Sequence, residues 1–175
     1  GSLIEAVAIP ASKRVTACLS TQVGCKFSCI FCSSGTAGFK RNLTNGEILE
    51  QLLRLNSIYK SKTITHIVFM GIGEPLDNYD NVFKAIRVIN SKEAFSIGAR
   101  RITISTCGIV PAIKRMSDEK LQVELSVSLH AADDRLRSEL MPVDRKYPLG
   151  ELLEACREYV SKTGRQITFE YALLK

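Results

Sequence analysis

Five short apolar stretches, separated by segments with helical spacing, limit what this chain can fold into more than any other feature. Strand patterns run at about Arg14 to Ser20, Ile64 to Met70, Arg101 to Ser105, Gln122 to Leu129 and Gln166 to Leu173. Between them, Thr44-Asn45-Gly46-Glu47 reads as a capping box that opens a helix with Ile48, Leu52 and Leu55 on one side. Further helices read at Asn81 to Asn90 and at Leu149 to Thr163, the latter stopped by Gly164. Strands that alternate with helices pair in parallel through right-handed crossovers, giving either a doubly wound sheet or a (β/α) barrel. One strand favours the barrel. Val123, Leu125, Val127 and Leu129 fall on one face, and Glu124, Ser126 and Ser128 on the other. A sheet covered by helices on both faces rarely tolerates that second set, whereas a barrel lumen holding a polar ligand does.

The chain has 175 residues, 45% of them apolar, which suits one globular domain. Its longest apolar runs, such as Ile67 to Met70, are far below the roughly 18 residues that span a bilayer. Six cysteines are too sparse for a secreted disulfide scaffold, and no apolar leader precedes them, so a reducing cytoplasm is expected. The net charge is +6, but residues 1 to 62 alone carry +5 and the remainder only +1. A basic third of this kind suits a polyanion such as RNA, and equally a solvated basic face.

Function is concentrated in Cys25, Cys29 and Cys32, a C-x₃-C-x₂-C triplet directly after the first strand. Gly24, Lys26 and Ser28 interleave these residues, so the stretch has no strand or helix periodicity to bury them in a core. Three thiolates this close suit one iron–sulfur cluster, since structural zinc usually takes two separated ligand pairs. Three ligands leave one iron open to a substrate or cofactor. Other polar groups end the later strands: Gly71-Ile72-Gly73-Glu74-Pro75, Ser105-Thr106 and Ser128-Leu129-His130. That is the end at which parallel barrels build active sites. The Gly-rich turn permits close approach to a ligand, and Glu74 is suited to accept hydrogen bonds from an ammonium.

The cysteine spacing, with Phe31 before the last Cys, resembles the signature of the radical S-adenosylmethionine (SAM) superfamily. Leu19-Ser20-Thr21-Gln22-Val23-Gly24-Cys25, Gly38-Phe39-Lys40-Arg41-Asn42-Leu43-Thr44, Met70-Gly71-Ile72-Gly73-Glu74-Pro75-Leu76, Ile104-Ser105-Thr106 and Ser128-Leu129-His130-Ala131 narrow the resemblance. They are similar to the radical SAM adenine-C2 methyltransferases of 23S rRNA and tRNA (the RlmN type, with the C8-methylating Cfr enzymes as relatives). The resemblance implies a partial (β/α)6 barrel of about five parallel strands. It implies that Cys25, Cys29 and Cys32 ligate a [4Fe–4S] cluster and that Gly73, Glu74, Ser105, Ser128, Leu129 and His130 bind SAM. By the same resemblance Glu5 is the general base that removes the ring proton, and Cys18 is the thiol that resolves a protein–RNA crosslink. RNA and an electron donor such as flavodoxin are the implied partners, with no membrane.

On this resemblance residues 1–175 form the radical SAM core. Residues 1–13 are a lead-in, the N-terminal RNA-binding domain is absent, and the closing strand and methyl-carrying Cys lie beyond the equivalent of Lys175. Neither Cys107 nor Cys156 matches that Cys; they read as loop lining and helix core. The fragment alone is expected not to complete methylation. His66, inside an apolar strand, reads as a packed residue. Two other functions share the cysteine loop: an activase that installs a glycyl radical on a partner protein, and a non-enzymatic iron–sulfur or zinc module. The activase gives no reason for Glu5, Cys18 or the basic third, the module predicts four protein ligands and no SAM binding, and the residues do not separate C2 from C8 methylation.

Overall fold

A computed structural model describes residues 1–36, 38–59 and 64–173. Lys60 and Lys62 of the basic third lie outside the described residues. The strands are β1 (Val7–Pro10), β2 (Val15–Cys18), β3 (Gln22–Val23), β4 (Arg41–Asn42), β5 (His66–Phe69), β6 (Ile102–Thr106), β7 (Glu124–Ser128) and β8 (Ile167–Glu170). The helices are α1 (Asn45–Ile58), α2 (Tyr79–Asn90), α3 (Val110–Met116), α4 (Asp134–Leu140) and α5 (Leu149–Thr163).

The main sheet has the order β1-β2-β5-β6-β7-β8, with β1 antiparallel to β2 and every other neighbour parallel. Parallel strands that add in chain order, without the reversal that marks a doubly wound sheet, build an open section of a barrel. The pleat gives this section two unlike faces. Val15, Ala17, Ile67, Phe69, Ile102, Ile104, Val123, Leu125 and Val127 are buried on the helix-covered face. The strand registers place Thr16 beside His66, Thr103 beside Glu124, Ser105 beside Ser126, and Ser128 beside Glu170 on the other face. The alternation read in Gln122 to Leu129 is thus the division between helix-covered core and polar lumen.

Local signals explain the best-read elements. Thr44 accepts the Glu47 N–H while the Glu47 carboxylate accepts the Thr44 N–H, closing the capping box of α1. Gly164 ends α5 in the left-handed region at φ +65°. The structure extends the reading elsewhere. The lead-in of residues 1–13 contains β1, an edge strand whose Val7 and Ile9 are half exposed, so no burial pattern announced it. α3 and α4 have seven residues each, too few for a repeating apolar stripe.

Candidate active site

Tight backbone contacts shape the cysteine loop. β3 and β4 close its base, where the Lys40 N–H donates to the Val23 carbonyl at 2.9 Å. Gly24 sits at φ +72°, and a Cβ there would lie 1.7 Å from the Gly38 carbonyl oxygen, so no other residue fits. The far side of the loop rests on α4. Phe27 and Cys29 pack against a small apolar cluster that includes Leu140 and Met141, and the Ile30 N–H donates to the Leu140 carbonyl.

All six cysteines are unpaired, and Cys25, Cys29 and Cys32 are half-buried. Burial pushes the Cys25 thiol up, as do Glu74, Cys32 and Asp77 nearby. Cys29 is pushed up to about 11 by burial first, then by Cys25, Cys32 and Glu74. The three sulfurs therefore lie close enough to oppose one another's ionisation. A cationic iron–sulfur centre relieves that opposition, and the set of three soft donors fits one. Among the described residues no three side chains are placed to hold a single metal ion.

The Gly71–Leu76 turn is locked to this loop through buried Gln22. Its Nε2 donates to Asn42 Oδ1 and Asp77 Oδ2, both at 2.8 Å, and its Oε1 accepts the Glu74 N–H at 2.9 Å. Gly73 sits at φ +103° with its backbone against the Gln22 side chain, which leaves no room for a Cβ. Glu74 is only 4% exposed. Its Oε1 accepts the Leu76 N–H at 3.0 Å and its Oε2 the Cys107 N–H at 2.7 Å. Burial raises its pKa against those hydrogen bonds. The carboxylate thus fixes the turn with both oxygens, and any ligand ammonium has to share them.

Ser105, Ser128, Leu129 and His130 do come together at the ends of β6 and β7. Both serine hydroxyls donate to Glu170 Oε2, at 2.9 and 3.2 Å. His130 sits at φ +57° with its ring edge-on to Phe31, 4.7 Å between centroids. The Ala172 N–H donates to His130 Nδ1 at 3.0 Å, so the ring proton is assigned to Nε2. Burial lowers the His130 pKa, which keeps the ring neutral. The other histidine, His66, is partly buried and hydrogen-bonded to Thr65 Oγ1 through Nδ1.

Glu5 and Cys18, far apart in character, line one cavity of about 460 Å³ with Ser33, Ser34, Gly71 and Ile72. Pairing of β1 with β2 brings Val7 opposite Cys18, and Ser20 Oγ donates to the Glu5 carbonyl at 2.5 Å. Burial raises the Cys18 pKa, partly offset by a hydrogen bond with the Met70 backbone.

The radical SAM superfamily model matches residues 19–175, from just after β2 onward. The chain belongs to the radical SAM superfamily. Radical SAM proteins use a [4Fe–4S] cluster and SAM. Among similar proteins is the probable dual-specificity RNA methyltransferase RlmN of Thermoanaerobacter sp. (strain X514), 53% identical over 175 residues. That match covers 100% of this chain and 51% of the relative. The equivalent protein of Carboxydothermus hydrogenoformans is 52% identical, covering 98% of this chain and 50% of the relative. The chain thus spans about half the length of these relatives. A solved radical SAM methyltransferase from Sphaerobacter thermophilus matches with a TM-score of 0.94 and 48% identity, over 98% of this chain and 51% of that one. Streptococcus suis SuiB bound to SAM matches with a TM-score of 0.58 and 18% identity, over 89% of this chain and 34% of that one, a likeness of fold.

Three residues that organise this candidate site have no role in the sequence motifs. Glu170 carried a signal, as a carboxylate within an apolar strand pattern that ends at the barrel mouth. Gln22 stood inside a matched segment without a role of its own. Arg137 carried none, because Asp133-Asp134-Arg135-Leu136-Arg137 reads as a solvated face. It is fully buried, donating to Asp144 Oδ1 and to the carbonyls of Cys107, Ser128 and Leu129.

Proposed function

We propose that this chain is the catalytic core of a radical SAM enzyme that methylates C2 of adenosine in 23S rRNA, with tRNA as a second substrate. The observation that carries this reading is the shared cavity of Glu5 and Cys18 beside the cysteine loop and the Gly71–Ile72 turn. A glycyl-radical activase and an electron-transfer module have no use for a carboxylate and a thiol there. The names of the relatives, which describe dual-specificity RNA methyltransferases, support the same reading.

In this assignment Cys25, Cys29 and Cys32 hold the cluster, which when bound supplies the electron that splits the SAM sulfonium. Gly73 and Glu74 receive one end of SAM; Ser105, Ser128, Leu129 and His130 receive the rest. The C2–H of adenine is not acidic and the carbon has no lone pair, so polar methyl transfer has no route there. Carbon addition by a radical path leaves one proton and one electron to be removed; Glu5, exposed on the cavity wall, takes the proton, and an electron acceptor takes the electron. Cys18 supplies the second sulfur: its thiolate attacks the sulfur of a thioether link between protein and RNA, the S–S bond forms as the S–C bond breaks, and the carbon leaves with the electron pair and takes a proton to become the methyl group.

Part of the basic third is already neutralised, through Lys26–Asp77, Arg41–Glu47 and Arg54–Glu50. Among the described cations of the basic third, Lys13, Arg14 and Lys40 have no ion pair with a described residue and are open to RNA phosphates. No described helix is long and apolar enough to cross a membrane. A cytoplasmic site of action, with reduction by a flavodoxin-type donor, completes the proposal.

Anaerobic reconstitution with iron and sulfide, then dithionite, should give a brown protein that converts SAM to 5′-deoxyadenosine. In the whole-length protein, mass spectrometry of 23S rRNA should find 2-methyladenosine. Glu5→Gln should remove that product and leave SAM cleavage intact. An RNA carrying only 8-methyladenosine would move the reading to C8, and a colourless protein without iron would end it.

A further inference from the structure

The structure assigns Glu170 as the residue that sets the hydrogen-bonding polarity of the SAM pocket. It acts by taking the hydroxyl protons of Ser105 and Ser128. This inference rests on the reading of the barrel mouth as the SAM site, and it adds a positioning residue.

Ser128 and Glu170 lie directly abreast on neighbouring parallel strands, so their side chains share the lumen face. Ser105, one strand further over, points the same way, because β6 and β7 pair Ser105 with Ser126. The Glu170 Oε2 atom accepts from Ser105 Oγ at 2.9 Å and from Ser128 Oγ at 3.2 Å. The backbone carbonyl of Glu170 accepts the N–H groups of Leu129 and His130, at 2.9 and 3.3 Å. One residue of β8 therefore touches four of the positions assigned to SAM.

A serine hydroxyl has one proton and two lone pairs. When that proton is committed to a carboxylate, only the lone pairs remain for a ligand. Ser105 and Ser128 are thereby acceptors toward the lumen. Glu170 Oε1, to which no protein group among the described residues donates, is a third acceptor beside them. All three residues are part-exposed, so a ligand has access to them. His130, with its proton on Nε2, is the donor at the rim. A wall of acceptors recognises a ligand that brings N–H or O–H donors. SAM has three such sources, the ribose hydroxyls, the α-ammonium group and the 6-amino group of its adenine. A carboxylate also favours the positive charge of the second.

An amide in place of the carboxylate keeps the shape but has one acceptor oxygen instead of two. Its NH₂ group must face either the serines, turning their protons outward, or the lumen, replacing an acceptor by a donor. Either outcome reverses part of the wall. A purely structural role for Glu170 predicts no such loss, because Glu170→Gln leaves the backbone carbonyl and the side-chain volume in place.

The test is anaerobic calorimetry of SAM binding to the cluster-reconstituted protein, with circular dichroism and iron content as controls. Four ligands are compared with SAM: its 2′-deoxy, 3′-deoxy, α-deamino and 6-deamino analogues. Wild type should bind SAM and bind at least one analogue about tenfold more weakly; which analogue suffers tells ribose, ammonium and adenine apart. Glu170→Gln should keep its fold and iron, bind SAM about tenfold more weakly, and lose the discrimination against that analogue. Ser105→Ala combined with Glu170→Gln should cost less than the two separate losses together, as expected of coupled groups. Unchanged SAM affinity in Glu170→Gln, or wild type that binds all the analogues as well as SAM, overturns this inference and leaves the proposed function standing. Wild type that takes up iron but binds no SAM overturns both.

Discussion

Gly24 is held on two counts, a left-handed backbone and a carbonyl oxygen where its Cβ would be. Gly24→Ala must therefore open the base of the cysteine loop, with iron uptake expected to fall from about four per chain to below one. Cys29→Ala should lose the colour in the same assay. Cys156→Ala should keep it, since Cys156 is buried in the helix-covered core. Cys18 makes a different forecast. Burial raises its pKa above 9.0, so at pH 8 its thiolate fraction lies below that of an ordinary cysteine. Alkylation by iodoacetamide, followed at Cys18 by mass spectrometry, should still be rising at pH 9. A plateau below pH 9 would refute the burial argument. At this scale the sequence showed thiols, serines and carboxylates by type and spacing. It did not show Arg137, whose role comes wholly from the three carbonyls and one carboxylate that surround it.

Among the elements, α4 does most for the site while having the weakest sequence pattern. It carries Arg137, which clamps the ends of β6 and β7, and its apolar side supports Phe27 and Cys29. Arg137→Met leaves Asp144 buried without its partner, a change that typically costs about 3–5 kcal/mol. Urea unfolding should show that loss, and SAM affinity should fall with it. Thr44→Ala removes only the side-chain half of a cap and should cost about 1 kcal/mol by the same measurement. The contrast explains which elements could be read in advance. α1 and α5 are long, capped and amphipathic, so local rules define them. α3, α4 and β1 are short, and the contacts that stabilise them come from segments distant in the chain.

For the molecule as a whole, alternating strands and helices left two architectures open, and the polar row in β7 favoured one. The sequential strand order decides it, and that order depends on crossover direction, which no residue pattern records. Whole-molecule stability should carry a thiol signature at high pH. Cys156 is pushed up from 9.0 to about 11 by burial, so the fold prefers the protonated form. That preference is fully present below pH 9 and is lost as pH rises toward about 11. Thermal midpoints of metal-free protein should drop across this window, and less steeply in Cys156→Ala. An equal slope in both would place the loss elsewhere.

The grip of Gln22 on Asn42, Asp77 and Glu74 has a mechanical consequence. The hairpin proposed to cradle the iron and the bend proposed to meet the amino-acid end of the nucleoside form a single stiff piece. Whichever guest arrives first pays for immobilising both, and the second enters a seat already made, so each guest should tighten the hold on the other by the same factor.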